Sequence, residues 1–172
     1  MRRIVALDVG TVRIGVAASD PFGSFAQGVT VLAAKGDWLE ELAEILRRYD
    51  AGTILIGMPR RTDGTDGPEA VRMREVAAKL AARFPNVDVV PWDERFTTTI
   101  ATQALLEGDV SRKDRKTRVD MVAATLLLQG YLDSLRNRAA AGQTAPLPVS
   151  AELPAPHAAR GKKRDGKQKR YD

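Results

Sequence analysis

Three acidic residues, far apart in the chain, have the type and setting that phosphodiester chemistry uses. Asp8 lies inside the most apolar stretch of the sequence, Glu94 follows another apolar stretch, and Asp120 comes directly after Val119. An ionised carboxylate in apolar surroundings is costly unless it is paired or bound to a metal ion. Together the three acids predict a site that binds a hard divalent cation, Mg²⁺ or Mn²⁺, through carboxylate oxygens.

The other residue types restrict both the metal and the source of the nucleophile. The chain has no cysteine, and its one histidine, His157, lies in a stretch rich in proline and alanine. Zinc is not expected, because it favours cysteine and histidine ligands. A histidine general base is not expected either. We therefore expect metal-activated water to hydrolyse the phosphodiester, with Asp8 anchoring the metal and Glu94 and Asp120 completing its ligands.

Each acid also has a purely structural interpretation. Asp8 could be a buried acid held by backbone donors or by Arg13. Glu94 could form a surface ion pair with Arg95 or a nearby lysine. Asp120 could be a charge at the start of a helix that favours the helix dipole. Burial cost favours a functional role for Asp8, and the sequence leaves both interpretations open for the other two acids.

Basic residues are close in sequence to the three acids. They could neutralise backbone phosphates on both sides of a scissile bond, although ordinary surface solvation is the alternative. Aromatic residues make up only 5% of the chain, which favours recognition of backbone shape over base stacking. The predicted nucleic-acid-binding residues are Arg13, Arg60, Arg61, Arg95, Lys113, Arg115, Lys116 and Arg118.

Composition and charge predict one compact domain followed by a tail. With 172 residues, 44% apolar and 28% charged, the chain can form a substantial core. We predict a nuclease domain over 1–138 and a disordered tail over 139–172, which holds seven basic and three acidic residues. The absence of cysteine, of a signal-peptide core and of a membrane-spanning run predicts a cytoplasmic protein without a membrane partner.

Hydrophobic periodicity predicts an α/β protein with a mixed sheet. Strands are expected over 3–9, 14–19, 25–32, 53–57 and 87–92, the first three as an antiparallel meander. Asp37 is expected to cap the first helix, whose apolar positions run from Trp38 to Tyr49. Further helices are expected over 69–84, over 98–107 with Thr97 or Thr98 as its cap, and over 117–135. Polar loops are expected over 59–68 and 108–116, the latter mobile. The predicted inward residues are Val71, Val76, Ala77, Leu80 and Phe84 on the second helix, and Val119, Val122, Ala123, Leu126, Leu127 and Leu132 on the last.

Four segments that carry the acids and their basic neighbours form a recognisable pattern. They are LDVGTVRIGVAASD (7–20), IGMPRRTDGTDGP (56–68), DERFTT (93–98) and KTRVDMVAATLLLQGYL (116–132). In this order and spacing they resemble the YqgF/RuvX family, described as Holliday-junction resolvases and as nucleases of pre-16S ribosomal RNA 5′-end maturation. The resemblance covers roughly residues 3–135.

The resemblance implies a ribonuclease H-like fold, a mixed five-stranded sheet with helices on both faces. In that fold the acids lie on the first strand, at the end of a later strand and on the final helix, which are the positions of Asp8, Glu94 and Asp120. The chain departs from the family at Val12, where the family often has a lysine, and in the tail. No fourth acidic or histidine ligand is identified, so a single metal ion stays possible.

Two other functions compete with the nuclease. The hairpin DVGTVRIGVA also resembles the phosphate-binding hairpin of actin-like ATPases and sugar kinases, but about 135 residues suffice for only one of their two domains. A non-catalytic RNA- or ribosome-binding protein could use the basic loops and tail, although three convergent carboxylates would repel phosphate. Sequence does not decide between structured RNA and branched DNA as substrate, and symmetric junction cutting would require a homodimer.

Overall fold

The computed structural model describes residues 2–58, 67–93 and 112–142, with residues 93 and 112–118 described by their backbone only. These ranges contain strands and helices in an alternating order after an initial run of three strands. The elements are β1 (Arg3–Val9), β2 (Arg13–Ser19), β3 (Ala26–Ala33), α1 (Trp38–Arg48), β4 (Ala51–Met58), α2 (Pro68–Arg83), β5 (Asp88–Asp93) and α3 (Arg112–Ala140).

The five strands form one sheet in the order β3-β2-β1-β4-β5. The first three strands are antiparallel neighbours joined by short turns, as the meander prediction expected. β4 and β5 run parallel to β1, and their register aligns Leu7 with Ile56 and Ile56 with Pro91. The mixed five-stranded sheet is therefore confirmed, and the C-terminal ends of β1, β4 and β5 lie at one edge.

Both faces of the sheet are covered, because alternate residues of the central strands are apolar on each side. Val5 and Leu7 of β1 belong to a core that also contains the buried residues of α1 and α2. Ile4 and Ala6 belong to a second core on the opposite face, shared with α3. The prediction of helices on both faces is confirmed.

α1 buries the side expected from its periodicity, with Trp38, Leu42 and Leu46 against the sheet. Asp37 is the N-cap residue of α1, as predicted, but its side chain makes no capping hydrogen bond. Its backbone has φ −79° and ψ 44°, outside the extended region that aims a capping side chain at the first turn. Only its carbonyl takes part, accepting hydrogen bonds from the N–H groups of Glu40 and Glu41.

α2 begins at Pro68, where a missing N–H costs nothing because the first helical turn leaves it unpaired anyway. The prediction that Val71 points inward is wrong, because this residue is 47% exposed. Val76 contacts the core and Phe84 is buried, as expected. The buried side of the helix consists of Ala70, Met73, Ala77 and Leu80.

α3 is longer than predicted at both ends, running from Arg112 to Ala140. The prediction of a mobile loop is therefore wrong for 112–116, while 108–111 lies outside the described residues. Val119, Val122, Ala123 and Leu126 were expected to point inward but are only partly buried. Because the segment is apolar almost all round, its periodicity does not select a face. The buried side is Ala124, Leu127, Leu128, Tyr131 and Leu132, with Leu127 and Leu132 as predicted.

The C-terminal half of α3 is hydrogen-bonded to the turn between β2 and β3. The Gln129 side chain accepts a bond from the N–H of Ala26 (2.9 Å) and donates one to the carbonyl of Ser24 (3.2 Å). Arg136 also donates to the Ser24 carbonyl, at 2.9 Å. The turn itself is fixed by the Asp20 carboxylate, whose pKa is lowered by hydrogen bonds from backbone N–H groups, that of Phe25 first. This end of α3 is thus held in place by polar contacts as well as by packing.

Several predictions fall on residues outside the described ranges: Glu94, the helix over 98–107, most of the loop over 59–68, and the tail from 143 onward. The boundary at 138 stays a prediction, since α3 continues across it to Ala140. Within the described ranges, no helix has the length and apolar character needed to cross a membrane.

Candidate active site

β1 places Asp8 near its C-terminal end, in a partly buried position. Strand alternation puts its side chain on the same face as Ile4 and Ala6, which is the face that α3 covers. In the antiparallel ladder with β2, Asp8 lies directly opposite Gly15. Directly opposed residues have their side-chain positions on one face, about 5 Å apart. Whatever packs over Gly15 therefore lies beside Asp8.

The residue that packs over Gly15 is Asp120 of α3. A Cβ atom added to Gly15 would lie 2.0 Å from the Asp120 carbonyl oxygen and 2.7 Å from its carbonyl carbon. Only glycine allows the helix backbone to approach the strand this closely. This role of Gly15 was not predicted, although a lone glycine inside the apolar strand RIGVAAS is a known sign of close backbone approach.

The electrostatic interaction between Asp8 and Asp120 agrees with their being neighbours. The pKa of Asp8 is raised, first by burial and second by the negative charge of Asp120. Two acids separated by more than a hundred residues in sequence are thus neighbours in the fold. This is the part of the predicted carboxylate cluster that the described residues bring together.

Arg13 forms an ion pair with Asp120, with 2.5 Å between Nε and Oδ2. The two side chains remain 37% and 27% exposed, so solvent reaches the pair. Within the described ranges no cation pairs with Asp8, so the alternative in which Arg13 holds Asp8 is wrong. The helix-dipole alternative for Asp120 is wrong too, because Asp120 lies eight residues beyond the start of α3 at Arg112, about 12 Å along the axis.

The backbone on both sides of Asp8 is fixed by hydrogen bonds. The carbonyl of Val9 accepts a bond from the Arg72 guanidinium on α2, at 3.2 Å. The N–H of Gly10 donates to the carbonyl of Arg13 at 2.9 Å, which closes the hairpin between β1 and β2. Arg72 was not singled out by the sequence analysis, because only the fold shows that its helix passes the end of β1.

The raised pKa of Asp8 predicts how the metal-free protein responds to pH. Protonated Asp8 is favoured by folding, so this group's contribution to the free energy of unfolding is fully present below its unfolded pKa. It is lost as the pH rises through the higher folded pKa. Urea unfolding in EDTA over a pH series, comparing wild type with Asp8→Asn, should show wild-type stability falling relative to the variant as pH rises. If the stability of wild type instead rose relative to that of the variant as the pH increases, a cation would be holding the Asp8 carboxylate.

The remaining predicted site residues are only partly placed. Glu94, Arg60, Arg61 and Arg95 lie outside the described ranges. Asp93 ends β5 two strands from β1, a lateral separation of about 10 Å at the same sheet edge. Among the described residues, no group of three acidic or histidine side chains forms a metal cluster. The predicted cations Lys113, Arg115, Lys116 and Arg118 lie on the first two turns of α3, where only the backbone is described.

Comparison with solved structures identifies the class. The chain resembles Thermus thermophilus RuvC, solved in complex with a Holliday junction substrate, with a TM-score of 0.53 and 13% sequence identity. The match covers 86% of this chain and all of that one. Together with the mixed sheet, this similarity confirms the predicted ribonuclease H-like fold, and with it the α/β class of the protein.

The chain belongs to the RuvX family of Holliday junction resolvases, whose family model matches residues 2–134. It is 47% identical over 135 residues to a Clostridium botulinum protein, covering 77% of this chain and 98% of that one. A Pelotomaculum thermopropionicum protein is 46% identical, with 77% and 87% covered. Both carry the words "pre-16S rRNA nuclease" in their names. The predictions of the YqgF/RuvX family and of a nuclease, a hydrolase of nucleic-acid ester bonds, are confirmed.

Proposed function

We propose that this nuclease is divalent-metal-dependent, that Asp8, Asp120 and Glu94 hold the metal, and that its substrate is the 5′ region of pre-16S rRNA. The observation that carries the proposal is the meeting of Asp8 and Asp120 across Gly15. Two like charges held together in a partly buried place favour a cation between them. This arrangement supports a metal site without any contribution from histidine or cysteine.

The donor set fits Mg²⁺ or Mn²⁺. Its described members offer carboxylate oxygens only, and Mg²⁺ commonly binds through one or two carboxylates while keeping several waters. A bound divalent ion would supply an activated water and would neutralise charge on the attacked phosphate. Glu94 enters the proposal because it directly follows Asp93, at the same sheet edge as Asp8.

The protein's own part in the reaction is to position the carboxylates and the phosphate backbone. The Nε–H of Arg13 holds Asp120 in one orientation, which leaves the terminal amino groups of the guanidinium to contact a phosphate. The other predicted contacts are the remaining basic residues near the acids, which would bind backbone phosphates without reading sequence. They are Arg60, Arg61, Arg95, Lys113, Arg115, Lys116 and Arg118.

Pre-16S rRNA is preferred over a DNA junction because the relatives that are 46–47% identical carry its name. Junction cleavage is the second candidate, and the family's description as Holliday junction resolvases supports it. A junction has two symmetric strands to cut, so that reaction would require a homodimer with two active sites. A cytoplasmic location and a separate basic tail over 139–172 remain part of the proposal, since rRNA precursors are polyanions made in that compartment.

The test is a side-by-side cleavage assay of the full chain on a precursor 16S rRNA transcript and on a synthetic four-way DNA junction. Each is incubated with Mg²⁺, with Mn²⁺ and with excess EDTA, while the oligomeric state is measured by light scattering. We expect cleavage of the RNA near its 5′ end in either metal and none in EDTA.

Each other outcome of this assay would overturn one part of the proposal. Paired cuts in the junction by a dimer, with the RNA intact, would replace rRNA by DNA as the substrate. Cleavage that persists in EDTA would overturn the metal dependence. A chain that cuts neither substrate in either metal would overturn both candidates for the physiological reaction.

A further inference from the structure

A second cluster of charge lies where the start of β1 meets the end of α1. Its members, which we call the Tyr49 patch, are Arg2, Arg3, Arg47, Arg48 and Tyr49. Among the described residues, the carboxylates that pair with it are Glu44, which pairs with Arg47, and Asp50, which lies 3.8 Å from Arg2. The patch therefore keeps a positive balance, carried by Arg3 and Arg48.

These two arginines are held over one aromatic ring. The guanidinium carbon of Arg3 lies 5.5 Å from the centroid of the Tyr49 ring, and that of Arg48 lies 5.8 Å from it. Within the described ranges neither guanidinium has a carboxylate partner. The ring attracts each cation through its π face and leaves the N–H donors unused.

Other described arginines show that this is not the general pattern on the surface. Arg83 also lies over an aromatic ring, that of Phe84 at 5.3 Å, but its guanidinium is paired with Glu40 at 2.9 Å. Arg72 and Arg136 likewise have carboxylate neighbours. The Tyr49 patch differs in presenting two guanidiniums whose charge is not cancelled by a described acid.

The turn after α1 fixes the geometry of the patch. Asp50 has a positive φ of 45°, and its N–H donates to the carbonyl of Arg47 at 3.2 Å, which ends the helix sharply. The N–H of Arg3 then donates to the carbonyl of Asp50 at 3.3 Å. Since the backbone around Tyr49 is tied to both α1 and β1, little conformational freedom would be lost when a ligand binds.

The patch and the acid pair lie at opposite ends of β1. Arg3 and Asp8 are five residues apart on an extended strand, about 17 Å, and alternation places them on opposite faces. One phosphate cannot touch both. A nucleic acid that contacts the patch while its scissile bond lies at Asp8 must therefore be large and folded. A second helix of that nucleic acid must reach the opposite side of the domain.

We propose that Arg3 and Arg48, presented on the Tyr49 ring, bind the phosphate backbone of a second helix in a large structured RNA substrate. This inference rests on the proposed function, because it assumes that the nuclease acts on structured RNA. It assigns the patch to substrate retention, with no part in bond cleavage. The competing interpretation is a purely structural clamp, in which the basic side chains only complement the C-terminal dipole of α1.

The experiment measures binding of the full chain, in an Asp8→Asn background with Mg²⁺ present, to a long precursor 16S rRNA transcript and to a short oligonucleotide spanning the cleavage site. The Arg3→Gln/Arg48→Gln pair should weaken binding of the long RNA about tenfold. It should also reduce the slope of log affinity against log salt by about 2, one for each phosphate contact. Binding of the short oligonucleotide should be unchanged.

The matched control is Lys79→Gln/Arg83→Gln, which removes the same charge from two basic residues of α2 outside the patch, Arg83 being already paired with Glu40. Tyr49→Phe keeps the ring and should bind like the parent, whereas Tyr49→Leu should behave like the arginine pair. If the control pair weakened binding of the long RNA equally, the effect would come from the loss of net charge alone, and the proposal would be overturned. Unchanged RNA binding together with a lower Tm in the arginine variant would show a structural clamp and overturn it as well.

Binding and cleavage are read separately, so the two proposals can fail independently. A chain that retains the long RNA through Arg3 and Arg48 but cuts no RNA when Asp8 is intact would sink the proposed function alone. A chain that cuts precursor rRNA while its binding ignores both arginines would sink this inference alone.

Discussion

Replacing Asp8 by asparagine is expected to lower phosphodiester cleavage about a thousandfold or more while leaving the fold intact. The amide keeps the size of the side chain but removes the charge that would hold a divalent ion. Losing about 4 kcal/mol of metal-dependent transition-state stabilisation corresponds to a rate loss of this size. The measurement is single-turnover cleavage of precursor rRNA in Mg²⁺, alongside a thermal melt of the same preparation.

The melt separates a lost reaction from a lost fold. In the metal-free chain, burial and the charge of Asp120 both disfavour ionised Asp8, so Asp8→Asn should melt no lower than wild type in EDTA at neutral pH. Asp37→Asn serves as the matched control, since Asp37 is exposed and makes no side-chain cap. Wild-type activity in the Asp8 variant would remove that carboxylate from the mechanism.

Replacing Gly15 by alanine is expected to cost about 3 kcal/mol of folding stability, the upper end of what overpacking usually costs. The added methyl would meet backbone atoms of Asp120 at 2.0 and 2.7 Å, and these cannot yield unless the whole of α3 shifts. For a domain of this size the Tm should fall by about 10 °C. Cleavage by the folded fraction should fall too, because a shifted α3 carries Asp120 away from Asp8.

Gly36→Ala is the control for this substitution. Its added methyl would find its nearest neighbour at 3.6 Å, an ordinary contact, so the Tm should stay close to that of wild type. Gly28→Ala should fall between the two, because its closest neighbours are side-chain atoms of Met121 that can move. A Gly15 variant that melts with wild type would mean that α3 does not pack on β2 as described.

The order of elements was predictable from the sequence because it depends on local patterns. Apolar runs bounded by turn residues gave five strands, and short connections made the first three antiparallel. The face that α3 buries was not predictable, since the residues after Val119 are apolar on almost every side. Tertiary contact decided it, through the small residues that let the helix approach the sheet.

The candidate site was predictable in its residue types and only partly in its contacts. Asp8 stood out because a carboxylate inside an apolar strand needs a reason. Its nearness to Asp120 depends on the register that sets Asp8 opposite Gly15, and no periodicity reveals a register. Arg13, which was expected near Asp8, pairs with Asp120, the charged neighbour of Asp8 on the sheet face that α3 covers. Glu94 stays a sequence prediction.

α3 is tied to β3 and to the turn before it at three positions along its length, by Met121 lying over Gly28 and by the hydrogen bonds of Gln129 and Arg136. These contacts oppose an outward movement of α3 that would separate Asp120 from Asp8. The folding of the chain, and not the binding of an ion, brings the carboxylates of Asp8 and Asp120 together. If a divalent cation binds there as proposed, it meets two carboxylates that the fold has already brought together, so little of its affinity goes into ordering Asp8 and Asp120.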